Sequence, residues 1–250
     1  MLTPRTQKLV AAMLAGDKNA LARLITMAEN NSPELPAILE AAGRHPGKGY
    51  TIGVTGPPGA GKSTLTGKLA ACFRQKGLEI GIIAVDPSSP VSGGAVLGDR
   101  IRMPHLDLDE NVFIRSMASR GSTDGLAAAV LPAIKLLQAF GKDIIIVETV
   151  GAGQTELGIK QMVDILVLVL TPGFGDAVQI MKAGLIEVAD IIAVNKADLA
   201  GAEELLAELQ STLMYDKGGP GQSIIATRAT DDIGIEDLFR EIEKRRNRRI

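Results

Sequence analysis

The octapeptide Gly56-Pro-Pro-Gly-Ala-Gly-Lys62-Ser63 constrains this chain more than any other stretch. It fits GxxxxGK[ST] and falls between an apolar run, Tyr50 to Val54, and a segment of helical period from Lys62 to Lys76. The pattern needs that context: a loop that can curl its backbone N–H groups round a phosphate, feeding a helix whose N-terminal dipole attracts anions. Lys62 is then expected to reach the β- and γ-phosphates and Ser63 to ligate Mg²⁺. Gly56, Pro57, Pro58, Gly59, Ala60, Gly61 and Thr64 complete the cradle. An ordinary glycine-rich turn is the bland alternative, but it would not require the Lys-Ser pair.

From Tyr50 onward apolar runs alternate with amphipathic segments, which implies βαβ units on a mostly parallel sheet. The expected strands are Tyr50 to Val54, Glu79 to Val85, Val112 to Ser116, Asp143 to Glu148, Ile165 to Leu170, Asp190 to Val194 and Ser223 to Ala226. Helices are expected near Lys62 to Lys76, Gly125 to Phe140, Asp176 to Ile186, Ala202 to Leu213 and Ile235 to Arg246. The fold class is therefore α/β, a three-layer P-loop NTPase fold over residues 49–250, with residues 1–48 as a short N-terminal helical extension. In that extension Leu21, Leu24, Ile25 and Ala28 share one face after Asp17, and a second short helix is expected near Ser32 with Pro33 at its first position. His45, Pro46 and Gly47 mark the hinge. Arg5 and Lys8 before the apolar stretch Leu9 to Ala15 faintly resemble a signal peptide, yet the stretch runs straight into a charged, helix-periodic segment and reads as a surface helix.

A second motif selects the base. Asn195-Lys196-Ala197-Asp198 follows the run Asp190 to Val194, at the carboxyl end of a strand, where ligands of such sheets collect. Guanine presents N1–H and its exocyclic amino group side by side, so one carboxylate, Asp198, can accept both. Adenine would leave that carboxylate unpaired, a mismatch of roughly several kcal/mol. Asn195 is expected to brace the phosphate loop and the stem of Lys196 to cover the base.

Asp86, Asp99 and Glu148 lie at loop or strand-end positions suited to direct or water-mediated Mg²⁺ contacts. Glu148-Thr-Val-Gly151 stands where most GTPases carry DxxG, so the Gly151 N–H would sense the γ-phosphate. Ras-type enzymes place a water-orienting Gln directly after that glycine. Here Ala152 stands there and Gln154 is a displaced candidate, so slow intrinsic hydrolysis, accelerated by a partner, is expected.

Composition removes other classes. A net charge of -2 over 250 residues gives no basic footprint for nucleic acid, and the run from Lys244 to Arg249 reads as the solvated end of a helix. One cysteine, Cys72, expected in a helix in the core, permits no intramolecular disulfide and no Cys-rich metal site; a reducing, cytoplasmic compartment follows. The longest apolar runs, such as Ile165 to Leu170, are too short to span a bilayer, so no membrane is expected.

Asp86-Pro-Ser-Ser-Pro-Val-Ser-Gly-Gly94, Leu97-Gly-Asp-Arg-Ile-Arg-Met103, Phe113-Ile-Arg-Ser-Met117 and Glu148-Thr-Val-Gly-Ala-Gly-Gln154 together resemble the MeaB/ArgK family of methylmalonyl-CoA mutase-associated GTPases. The likeness covers about residues 50 to 200. It implies a G-protein chaperone that docks on an adenosylcobalamin-dependent acyl-CoA mutase, gates cofactor delivery and protects the mutase. It implies that Lys62 and Ser63 hold phosphate and Mg²⁺, that Asp86, Asp99 and Glu148 surround the metal, and that Asn195 to Asp198 hold guanine. Thr171 to Lys182 resembles the family's third switch, with Lys182 relaying nucleotide state to the mutase. Ile224 to Arg228, with Ala226 and Thr227 as the candidate contacts, aligns with the loop that touches guanine through backbone amides, without an SAK-like signature. Better-known relatives continue into a helical dimerisation arm that is missing here, which leaves a homodimer open.

Three other readings compete. A metallochaperone-type GTPase needs Cys or His ligands, and only Cys72, His45 and His105 are present. A kinase or other ATP-using transferase conflicts with Asn195 to Asp198. A non-hydrolysing, nucleotide-dependent scaffold stays open, as does the client, methylmalonyl-CoA mutase or a sister enzyme.

Overall fold

The structure is a computed structural model and describes residues 2–45, 47–86, 106, 108–118, 123–149, 155–173, 184–215 and 221–248, with backbone alone at 86, 123–128, 155–157 and 214–215. Along the chain it runs α1 (Pro4–Leu14), α2 (Lys18–Glu29), α3 (Leu35–Gly43), β1 (Tyr50–Thr55), α4 (Lys62–Gln75), β2 (Ile80–Asp86), β3 (Val112–Ala118), α5 (Thr123–Ala139) and β4 (Ile144–Glu148). It continues with α6 (Thr155–Lys160), β5 (Ile165–Leu170), α7 (Leu185–Val188), β6 (Ile191–Val194), α8 (Ala202–Tyr215), β7 (Ser223–Ala226), a 3₁₀ turn (Ala229–Asp231) and α9 (Ile235–Asn247).

The strands form one seven-stranded sheet in the order β3-β2-β4-β1-β5-β6-β7. The pairs β2–β3, β1–β5, β5–β6 and β6–β7 are parallel, as the alternation of elements requires. Contacts divide the chain into two compact units, Met1–Thr51 with Lys76–Val147, and Ile52–Gln75 with Glu148–Ile250.

In the first unit the N-terminal helices begin where side chains can satisfy free N–H groups. Thr3 Oγ1 accepts from the Thr6 N–H at 3.3 Å, and Asp17 accepts from the N–H groups of Asn19 at 2.7 Å and Ala20 at 3.2 Å. The third helix departs from expectation, because it starts at Leu35 with Pro36, not Pro33, in its first turn. Ser32 Oγ accepts from the Glu34 N–H at 3.3 Å and the Ser32 carbonyl accepts from the Leu35 N–H at 2.9 Å. Ser32 therefore closes a turn of its own and delays the helix. Met13, Leu21, Leu24, Ile25 and Ile38 are fully buried. Polar ties join α2 to β3: Lys18 Nζ donates to the Val112 carbonyl at 3.3 Å, and Arg115 meets Thr26 Oγ1 at 3.0 Å and the Glu29 carboxylate.

In the second unit β5 and β6 are buried at every residue. A continuous apolar run is what a parallel strand covered on both faces demands. Leu168, Leu170, Ile192 and Val194 pack with Leu185, Ile186, Leu205 and Leu209 into one cluster. Phe73 of α4 meets Phe239 of α9 edge to face, ring centres 5.0 Å apart. Next to it Cys72 is half-buried rather than a core residue, because it lies one position round the helix from that contact. The basic end of α9 is paired within its own helix, Lys244 and Arg245 with Glu241 and Arg246 with Glu243. Among the described residues no helix is long and apolar enough to cross a membrane.

Candidate functional site

The loop between β1 and α4 takes a path that only glycine permits at two points. Gly56 has φ 141°, and a Cβ there would lie 2.1 Å from the Val169 carbonyl oxygen of β5. Gly61 has φ 91°, and its Cβ would lie 2.3 Å from Asn195 Nδ2. The loop is thus pressed against the neighbouring strand at one end and against the Asn-Lys-Ala-Asp turn at the other.

At the head of α4 Lys62 is 7% exposed, and its Nζ donates to the carbonyls of Gly56 at 2.8 Å and Pro57 at 3.0 Å. A cation this buried needs such acceptors. Ser63 Oγ donates to Glu148 Oε1 at 2.6 Å, with Glu148 only 6% exposed at the carboxyl end of β4. The residue after it fastens that strand end: the Thr149 N–H donates to the Val54 carbonyl at 3.0 Å and its hydroxyl to Thr55 Oγ1 at 2.8 Å. A serine hydroxyl and a carboxylate held together are hard oxygen donors, the set Mg²⁺ prefers.

Asn195 is the hub of the other side. It is 3% exposed; its Nδ2 donates to the Ala60 carbonyl at 2.8 Å, and its Oδ1 accepts from Thr227 Oγ1 at 3.2 Å and the Ala229 N–H at 3.1 Å. One amide therefore locks the glycine loop to the turn after β7. Lys196 stands at φ 56°, a left-handed conformation uncommon for a side-chain-bearing residue. Its Nζ donates to the Gly59 carbonyl at 2.8 Å, so the stem spans from the turn to the glycine loop. Asp198 is 41% exposed in its side chain and pairs with Arg228 Nε at 3.3 Å.

Of the residues singled out in the sequence, the structure brings together Gly56, Pro57, Gly59, Ala60, Lys62, Ser63, Glu148, Asn195, Lys196 and Thr227 through these bonds. Thr64 and Ala226 are described and exposed. At Asp86 only the backbone at the end of β2 is described, and Asp99, Gly151, Gln154 and Lys182 lie outside the described residues, as does the expected helix from Asp176 up to residue 183. Sequence reasoning missed Thr149 and Ala229, and named Arg228 only as the end of the segment from Ile224, without a role. For Arg228 and Ala229 the signal was their place directly after Thr227; for Thr149 it was a threonine on each of two adjacent strand ends.

A parallel sheet, a glycine loop heading a Lys-Ser helix and an Asn-Lys-x-Asp turn bonded to that loop define a P-loop GTPase, an enzyme that hydrolyses GTP. Within that class the chain belongs to the family described as "Methylmalonyl Co-A mutase-associated GTPase MeaB", whose sequence model matches residues 21–249. It is 48% identical over 244 residues to a protein of Pyrococcus abyssi named "Putative GTPase", covering 96% of this chain and 75% of that one. It is 42% identical over 239 residues to GTPase ArgK of Escherichia coli, covering 91% and 72%. The crystal structure of an LAO/AO transport system kinase superposes with a TM-score of 0.74 at 28% identity, covering 99% of this chain and 77% of that chain.

Proposed function

We propose that this GTPase is a nucleotide-switched chaperone for an adenosylcobalamin-dependent acyl-CoA mutase, gating cofactor loading and protecting the mutase from inactivation. The family description carries the partner. The observation that carries the switch is the Asn195 hub, because a single amide ties the phosphate loop to the turn after β7.

In this reading the backbone N–H groups of Gly59 to Ser63 face the phosphates, and the Lys62 ammonium exchanges loop carbonyls for the β- and γ-phosphate oxygens. Ser63 and Glu148 hold Mg²⁺, with Asp86 and Asp99 as further candidates; bound there, the ion neutralises charge on the β- and γ-phosphates. Asp198 accepts from guanine N1–H and its amino group, and Lys196 lies along the base. Gly151 reports the γ-phosphate and Lys182 relays it to the client. Ala152 offers no group to orient the attacking water, so intrinsic turnover is slow and the partner supplies what is missing, with Gln154 the in-chain candidate.

The test is GTP hydrolysis with and without purified methylmalonyl-CoA mutase, for wild type and Lys182→Ala. Stimulation of the wild type, lost in the mutant with GTP affinity unchanged, is the expected result. Absence of stimulation by any cobalamin-dependent mutase of the same cell defeats the partner assignment. Full stimulation of Lys182→Ala defeats only the relay.

A further inference from the structure

The turn after β7 carries an arginine that does more than fill a loop. Arg228 places Nε 3.3 Å from Asp198 Oδ1 and Nη1 3.0 Å from Asp231 Oδ2, so one guanidinium is forked between two carboxylates on different turns. Its own backbone is fixed on both sides. The Arg228 N–H donates to the Ile233 carbonyl at 2.9 Å, and the Ile233 N–H returns to the Arg228 carbonyl at 3.2 Å. The next residue, Ala229, is tied to Asn195 Oδ1 at 3.1 Å, and the Ala197 N–H donates to the Thr227 carbonyl at 3.1 Å. The turn is therefore registered against the Asn-Lys-Ala-Asp segment by a backbone bond and by the Asn195 side chain, and the Arg228 side chain is the added piece that reaches Asp198.

We propose that Arg228 is a positioning residue for base selection: it fixes the Asp198 carboxylate in the orientation that accepts both guanine hydrogen bonds. This rests on the reading of Asp198 as the guanine acceptor. The side chain of Asp198 is 41% exposed, and without a partner it would be free to sample its rotamers. Each carboxylate oxygen has two acceptor positions, so Oδ1 can hold the Arg228 N–H and still receive one donor from the base. Asp231 sets the other arm of the fork, and the hydrogen bond from Arg228 holds the Asp231 carboxyl below its usual range, so the brace stays charged. The planar arginine fork suits two carboxylates at once, whereas a lysine ammonium is a flexible point charge that would serve one of them.

The consequence concerns selectivity more than adhesion. Guanine donates twice to the carboxylate and hypoxanthine once, since it lacks the exocyclic amino group. Loss of carboxylate orientation therefore weakens guanine nucleotides more than inosine nucleotides, and leaves phosphate contacts alone.

The experiment is titration calorimetry of the full chain with GDP, IDP and ADP, for wild type, Arg228→Ala and Arg228→Lys, alongside thermal melting without nucleotide. The expected result is a GDP affinity about three- to tenfold lower in Arg228→Ala, in line with the freedom regained by one rotamer-rich side chain. IDP changes less, ADP does not change, and Arg228→Lys recovers only part of the GDP loss. The KM for GTP should rise with kcat held. If wild type fails to prefer GDP over ADP, the guanine reading itself falls. If wild type prefers GDP and Arg228→Ala keeps the wild-type ratio of GDP to IDP affinity, or binds GDP more tightly, only the role of Arg228 falls. A uniform loss for all three nucleotides with a lowered melting temperature would make Arg228 merely structural and also overturns it.

Discussion

Asn195 Nδ2 donates to the Ala60 carbonyl at 2.8 Å, and through it a side chain that follows β6 holds a backbone group in the glycine loop. The bond is buried, and the same side chain accepts two further hydrogen bonds from Thr227 and Ala229. Asn195→Ala leaves those groups without their partner, and should cost about 2–4 kcal/mol of unfolding free energy. Urea denaturation of the nucleotide-free protein measures it. A cost within 0.5 kcal/mol, roughly the level of an ordinary surface substitution, would show that the hub is not structural.

The two constrained glycines give a sharper contrast. A Cβ at Gly56 meets a backbone oxygen at 2.1 Å, whereas at Gly61 it meets the end of a side chain at 2.3 Å. Gly56→Ala should therefore lower the melting temperature by roughly 6–12 °C, corresponding to about 3 kcal/mol of strain. Gly61→Ala should fold with a smaller loss yet bind nucleotide poorly, because the Asn195 amide must move. Equal melting temperatures for the two variants would contradict this placement of the loop.

Lys62→Ala should abolish tight binding of GDP, read by the disappearance of nucleotide-dependent thermal stabilisation. Ser63→Ala and Glu148→Ala should instead weaken the dependence on Mg²⁺, read by titrating EDTA into the GDP complex. Ser63→Ala further removes the hydroxyl donor of a buried carboxylate, and should cost about 1–3 kcal/mol of stability. Unchanged Mg²⁺ dependence in both variants would remove the pair from the metal site.

Acid sensitivity has a local source at the end of α9. Partial burial pushes the Glu241 carboxyl up, but hydrogen bonds from Lys244, Ser223 and Arg245 outweigh it and hold the group below its usual value. A carboxyl depressed on folding contributes stability that is full above the unfolded value, about 4.3, and is lost as pH falls through the lower folded value. Glu241→Gln should therefore flatten stability against pH below roughly that value and lower it at pH 7. An identical acid slope in the variant would exclude Glu241 as a source.

Much of this was legible beforehand because the signals were local or periodic. Ile165 to Leu170 is a six-residue apolar run, the pattern of a strand covered on both faces, and the Lys62-Ser63 pair fixes where α4 begins. Ser32 defeated the reading of α3, since a side-chain bond to Glu34 competes with helix initiation over a distance no periodicity records. Cys72 was placed in the core from its apolar neighbours, while packing on α4 turns Phe73 inward in its stead. The bracing of Asp198 by Arg228 is a contact between turns thirty residues apart in sequence, as their numbers show, and pattern reading has no access to it.

The most direct test of the site is the base specificity of Asp198. Calorimetry of wild type and Asp198→Asn with GDP and XDP should show wild type binding GDP far more tightly than XDP. The variant should reverse that order, because an asparagine amide can donate to the carbonyl that xanthine carries where guanine carries its amino group. Wild type that binds ADP as well as GDP, or a variant whose preference for GDP over XDP is unchanged, would contradict the assignment of this loop to guanine.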